Sequence, residues 1–232
     1  MFKCSSPKVF CFPFAGGSAN AFRPLQENQL LRGFEVHCIE LPGRGRRFGE
    51  GLLRNMDEMV DDVLDQHGDE FCGEFAFLGH SMGAMLAYRV ALRLASENRG
   101  LPRVIFVSGS KGSVDSNARR WHLLAPPDFR QLLQDLGGCP PGLLDDTELY
   151  EIFEPILRAD FEANSTVLDS TLQPLEVPIV ALLGKEDPMV NPSDCVWEQA
   201  TTYPLDEYQF PGGHFFLFNH WDSVCQLVVD RM

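Results

Sequence analysis

A chain of 232 residues, 44% hydrophobic and 22% charged, is long enough for one domain with a sizeable core. Its net charge of −14 excludes a protein that grips nucleic-acid phosphates through a basic surface. The seven cysteines are scattered and odd in number, no N-terminal stretch reads as a signal peptide, and no apolar run would span a bilayer. Incidental thiols in a cytoplasmic protein, with no membrane partner, are therefore expected.

The first β-rich run is Lys8–Phe12, closed by Pro13-Phe14-Ala15-Gly16-Gly17-Ser18. A glycine pair directly after a strand marks a tight turn or a close backbone approach. It either feeds a helix near residues 19–31 or aims backbone N–H groups at a developing negative charge. A strand over residues 34–41 then runs into Pro42-Gly43-Arg44-Gly45-Arg46-Arg47. Three arginines among glycines form either a solvated turn or a local anion-recognition patch. Residues 55–70 carry apolar residues on one helical face and Asp57, Glu58, Asp61, Asp62, Asp65 and Asp69 on the other. The early acids suit the helix dipole, and the rest are read as a solvated face, because no histidine or cysteine interleaves at metal-ligand spacing.

An apolar run from Phe75 leads into Gly79-His80-Ser81-Met82-Gly83, and a helical pattern with Met82, Met85, Leu86, Val90 and Leu94 on one face follows. Strand, sharp turn and helix with a serine at the apex is the context that gives the G-x-S-x-G pattern its meaning as a nucleophile elbow. A further strand over residues 103–107 completes an alternation that predicts a mostly parallel sheet covered by helices on both faces. Residues 111–172 contain no β run. Helical patches at 127–136 and 147–168 predict an inserted helical lid within a single domain spanning 1–232. Its apolar residues, among them Leu133, Leu136, Ile156, Leu157 and Phe161, are expected both to line a pocket and to pack on the body. The alternation resumes with a strand at 177–183, Gly184-Lys185-Glu186-Asp187-Pro188, a helix near 192–201 and the strand Asp206–Phe210. Pro211-Gly212-Gly213-His214 and an amphipathic helix over 216–229 close the chain.

A serine nucleophile needs a base, and the base needs an orienting acid. His214 lies on a loop at the carboxyl edge of the sheet, where Ser81 also sits; His220 is the runner-up. Asp187 follows a strand at the same edge, with Glu186 beside it as the alternative. The order Ser81, Asp187, His214 is that of α/β-hydrolases, which sets the predicted fold class. In such a site one oxyanion-hole donor follows the serine and the other comes from an early strand–helix loop, so the N–H groups of Met82 and Ala15 are the candidates, with Phe14 one residue away. No metal or cofactor is expected.

These pieces resemble the type II thioesterases that accompany non-ribosomal peptide and polyketide synthases. The matching residues are Phe12 to Ser18, Leu41-Pro42-Gly43-Arg44-Gly45-Arg46, the elbow, Pro155-Ile156-Leu157-Arg158-Ala159-Asp160-Phe161, Gly184 to Asp187 and Gly212-Gly213-His214-Phe215-Phe216. The resemblance implies hydrolysis of acyl or aminoacyl groups from the phosphopantetheine arm of an acyl or peptidyl carrier protein; a monomer is expected. A carrier is acidic, as is this chain, so a local basic rim is expected to dock it: Arg44, Arg46 and Arg47, with Lys111, Arg119 and Arg120 as further candidates. The rival readings are a medium-chain acyl-carrier hydrolase of fatty acid synthesis, a general carboxylesterase, and a catalytically silent binding protein.

Overall fold

The computed structural model describes residues 6–113, 118–139, 142–167 and 172–232. In chain order its main elements are β1 (Lys8–Phe12), α1 (Arg23–Gln26), β2 (Glu35–Cys38), α2 (Met56–His67), β3 (Phe75–His80) and α3 (Met82–Ser96). Then come β4 (Ile105–Ser108), α4 (Pro126–Leu136), α5 (Thr147–Ser165), β5 (Ile179–Gly184), β6 (Asp206–Phe210) and α6 (Trp221–Arg231).

The six strands pair in the order β2-β1-β3-β4-β5-β6, every pair parallel. β3, β4 and β5 read as unbroken apolar runs because both of their faces are covered. Along β1 the side chains alternate between two cores. Phe10 and Phe12 join the face packed by α2 and α3; Val9 and Cys11 join the face packed by Phe22, Leu25 and, on α6, Val224 and Val228. The chain steps from β1 outward to β2 and returns to β3 on the other side of β1. The crevice of an open α/β sheet lies outside such a reversal, at the carboxyl ends of the strands. There the register Phe12↔Gly79 sets the loop after β1 beside the elbow after β3.

Helix α2 starts where Asn55 caps it, its Oδ1 accepting from the Asp57 N–H at 2.8 Å. Met56, Met59, Val60 and Val63 are buried on its inner face. The acidic face is not simply solvated. Asp57 and Asp61 are exposed but pair with Arg89 and Arg93 of α3, while Asp62 is mostly buried in a bidentate contact with Arg47.

The continuous helix expected over 19–31 is three short pieces: a 3-10 turn Ala19–Phe22, α1, and a second 3-10 turn Gln29–Leu31. Pro24 has no N–H to extend a helix, and the Asn28 side chain accepts from the Leu30 N–H at 3.0 Å, starting a separate turn. Residues 192–201 likewise form two 3-10 turns, Pro192–Asp194 and Trp197–Ala200, separated by Cys195 in extended backbone. The last helix is split at His220, whose Nε2 donates to the Pro211 carbonyl at 2.9 Å, leaving a 3-10 turn Phe216–Asn219 ahead of α6.

Between β4 and β5 the chain forms a 3-10 helix, Ala118–Leu123, then α4 and α5. Position 168, the expected end of the second helix, lies outside the described residues, as do the prolines at 140 and 141. Phe129, Leu133, Tyr150, Leu157 and Phe161 give this segment a core of its own, with Ala15 of the body packed against it. The six described cysteines are free, and burial pushes the Cys225 thiol up to about 12.

Candidate active site

Ser81 sits between the last residue of β3 and the first of α3, with φ 54° and ψ −119°. Positive φ in a non-glycine residue costs on the order of 1–3 kcal/mol and persists only where the surroundings enforce it. Here they do. A β-carbon at Gly79 would run into the Gly83 backbone, and one at Gly83 into the Phe12 and Pro13 carbonyls. Helix α3 is therefore pressed onto the end of β1, and the turn between β3 and α3 has no wider path.

The Ser81 Oγ lies 3.0 Å from His214 Nε2, and His214 Nδ1 lies 2.8 Å from Asp187 Oδ2. The carboxylate can only accept, so the imidazole proton sits on Nδ1 and the Nε2 lone pair faces the serine hydroxyl. Asp187 and His214 are almost wholly buried, and Asp187 Oδ1 also accepts from the Met189 N–H at 2.9 Å. Neighbouring Glu186 turns the other way, its carboxylate accepting from the Gly212 N–H.

Three of the other histidines, His37, His67 and His80, are engaged elsewhere. His37 stacks on Phe10 and contacts Glu70 at 2.8 Å, and His67 also reaches Glu70. His80 points away from the serine hydroxyl and into the protein, its Nδ1 3.0 Å from Ser108 Oγ, while its ring packs beside that of His214 with centroids 5.2 Å apart. Burial, and secondarily the neighbouring His214, hold His80 well below the ordinary histidine value. It is neutral at the back of the site.

Ala15 lies in the loop after β1, where the Gly17 N–H donates to the Phe14 carbonyl at 2.8 Å and Gly16 has φ +77°. Met82 is the first residue of α3, so its N–H has no carbonyl of its own helix to bind. The loop after β1 opens with Ser81 and His214 into a cavity of about 800 Å³. Leu133, Leu136, Leu143, Ile156 and Leu157 of the inserted segment face Phe14, Phe215 and Phe218 of the body across it. Leu133 and Leu157 also belong to the core of the segment itself, against which Ala15 of the body packs.

The basic rim is smaller than the sequence suggests. Arg44 does not belong to it: its side chain is 4% exposed and is held by Asp160 through two hydrogen bonds, of 2.5 and 2.7 Å. Arg47 is committed to Asp62 and Glu50. Arg46 and Arg120 are exposed, and among the described residues the Arg46 guanidinium has no ion-pair partner. The Arg119 side chain lies outside the described residues. Two buried carboxylates are not among the residues that the sequence singles out for chemistry: Asp160, and Glu40, which accepts from the Ala19 N–H at 2.9 Å. Asp160 had a signal, an acid on the same helical stripe as Ile156, Leu157 and Phe161.

An all-parallel sheet flanked by helices on both faces, with a serine elbow after its third strand, defines an α/β-hydrolase. The sequence profile of the Thioesterase domain matches residues 7–232. The chain is 35% identical over 227 residues to the gramicidin S biosynthesis protein GrsT of Aneurinibacillus migulanus, covering 97% of this chain and 88% of that one. RedJ, a thioesterase from the prodiginine biosynthetic pathway of Streptomyces coelicolor, superposes with a TM-score of 0.87 at 31% identity, over 98% of this chain and 86% of that one. YbtT, a type II thioesterase from the yersiniabactin pathway, superposes with a TM-score of 0.86 at 28% identity, over 100% and 94%. The chain belongs to the thioesterase family and is a thioester hydrolase.

Proposed function

We propose that this enzyme removes acyl groups from the phosphopantetheine arm of an acyl or peptidyl carrier protein, clearing stalled or mis-primed arms of a non-ribosomal peptide or polyketide synthase. The observation that carries the proposal is the run of contacts from Ser81 through His214 to Asp187, at 3.0 and 2.8 Å, opening into an apolar cavity.

Ser81 Oγ attacks the thioester carbonyl carbon while its proton passes to His214 Nε2, and Asp187 stabilises the resulting imidazolium. The carbonyl oxygen becomes an oxyanion held by the N–H groups of Ala15 and Met82, the latter at the positive end of α3. Collapse of the tetrahedral adduct breaks the C–S bond, and the arm leaves as a thiol carrying the proton from His214. A water, deprotonated by His214, then attacks the acyl-serine; a second collapse frees the acid and returns the proton to Ser81. Relatives named for gramicidin S, prodiginine and yersiniabactin biosynthesis support a carrier-borne substrate.

Residues 111–172 act in this proposal as a lid that excludes water and shapes the acyl chamber. Arg46 is the docking cation for the acidic carrier. We take the enzyme to work as a cytoplasmic monomer; among the described residues no helix is long and apolar enough to cross a membrane. The apolar chamber also favours a second reading, a medium-chain acyl-carrier hydrolase of fatty acid synthesis, and the preferred chain length separates the two. The test is a panel of acyl-loaded carriers and small thioesters, presented to wild type and to Ser81→Ala.

A further inference from the structure

Three separate stretches of the chain converge on one buried carboxylate. Asp160 of α5 is fully buried. Its Oδ2 accepts from Arg44 Nη1 at 2.5 Å and from the Gly16 N–H at 2.6 Å, and its Oδ1 accepts from Arg44 Nη2 at 2.7 Å. Arg44 also reaches the Gly17 carbonyl at 3.5 Å and the Pro42 carbonyl at 3.4 Å. The arginine and the carboxylate thus hold the loop after β1 from both sides of its glycine pair.

Stability alone is a poor reason for such a pair, because desolvating two charges offsets most of their attraction and apolar replacements are often neutral or better. Its geometry gives another reason. The Gly16 N–H that Asp160 holds is the next amide after that of Ala15, and Gly16, at φ +77°, is free to swing without a tether. A β-carbon at Gly16 would also strike Leu157, one turn before Asp160 on α5. The helix therefore seats the loop by contact at Leu157 and by hydrogen bond at Asp160.

We infer that the Asp160–Arg44 pair is a positioning device for the oxyanion hole, holding the Gly16 peptide so that the Ala15 N–H is aimed at the reacting carbonyl oxygen. This rests on the roles proposed above for Ser81 and Ala15. It gives Arg44 and Asp160 a task in the reaction although neither touches the substrate. A misaimed donor weakens binding of the tetrahedral oxyanion and leaves binding of the planar thioester nearly unchanged, so the effect falls on kcat.

The experiment measures kcat and KM on an acyl-N-acetylcysteamine thioester for wild type, Asp160→Asn and the Arg44→Met/Asp160→Leu double variant, with the folded fraction read by circular dichroism at the assay temperature. An alkyl boronic acid, which forms a tetrahedral anion on the serine, is titrated as inhibitor in parallel. Losing an oxyanion donor outright costs about 100- to 1,000-fold, so a misaimed one is expected to lower kcat by about 10- to 100-fold per folded enzyme. KM should stay within about twofold, and the boronate inhibition constant should rise with the fall in kcat. The double variant leaves no unpaired charge, so it carries the same test if Asp160→Asn does not fold. Wild-type kcat in a folded variant, a loss confined to KM, or an unchanged boronate constant would overturn the inference while leaving the proposed function intact. A wild type that hydrolyses no thioester would overturn both.

Discussion

Asp187 Oδ2 lies 2.8 Å from His214 Nδ1 because β5 and β6 are adjacent and their carboxyl-end loops are laced together. The Lys185 N–H donates to the Phe210 carbonyl at 2.9 Å, the Glu186 N–H to the Gly212 carbonyl at 3.1 Å, and the Gly212 N–H to the Glu186 carboxylate. Two consecutive acids thus divide the work: Glu186 fastens the two loops and Asp187 meets the histidine. Asp187→Asn should lower kcat by roughly 10⁴-fold, as expected when an imidazole loses its acidic partner and takes the wrong tautomer. Glu186→Gln should cost far less, since it weakens one hydrogen bond of the loop. Steady-state kinetics on one small thioester decides, and equal losses in the two variants would contradict the assignment.

The buried His80 sets a pH limit on stability. Its folded value is held below the ordinary 6.5, so the unfolded chain binds the extra proton first as pH falls. The contribution of neutral His80 is complete above about 6.5 and is lost progressively below it, down to the depressed folded value. Melting temperatures between pH 7.5 and 5.5 should fall more steeply for wild type than for His80→Asn. Parallel curves would contradict this.

Arg46 and Arg47 are neighbours with different surroundings. Arg47→Glu opposes Asp62 and Glu50 and should lower the melting temperature, because it sets three acids together. Arg46→Glu should leave stability nearly unchanged. Its loss in kcat/KM on an acyl-loaded carrier should exceed its loss on a free thioester by about 3- to 10-fold, a gap that closes as salt is added. Equal losses on both substrates would remove Arg46 from the docking surface.

Among the described residues lining the cavity, Arg44 is the only formally charged side chain, and Asp160 already occupies it. Uncharged acyl chains should therefore gain about two- to fourfold in kcat/KM for each methylene buried, until the chamber is full. Malonyl and free aminoacyl thioesters, which bring in an unpaired charge, should be poor substrates. A chain-length series on one pantetheine carrier measures this, and a preference for the charged groups would contradict it.

Where periodicity is local, the fold is legible in the chain: the bounds of β1 and β6 follow from residue pattern, and so does the elbow from its two glycines. The piecewise 19–31 and 192–201 segments are not legible as such, because Pro24 and the Asn28 side chain interrupt the first and Cys195 in extended backbone divides the second, where the spacing favours a helix. The burial of Arg44 is illegible for a different reason. Its partner Asp160 is 116 positions away, so nothing near the arginine tells a solvated charge from a buried one. Ser81, Asp187 and His214 are legible as neighbours because each lies within a short loop past the end of β3, β5 or β6, and parallel strands bring such positions to one edge.

The proposed attack of Ser81 on a thioester carbonyl is the step on which every other role at the site depends. The most direct test is the rate of acid release from a panel of acyl-loaded carrier proteins and acyl-pantetheine thioesters, for wild type and Ser81→Ala at matched folded concentration. Wild type should turn over at least one of them and Ser81→Ala should fall to background, a loss that reaches about a million-fold when such a serine is removed. Hydrolysis that survives unchanged in Ser81→Ala, or its absence from wild type on every substrate, would contradict it.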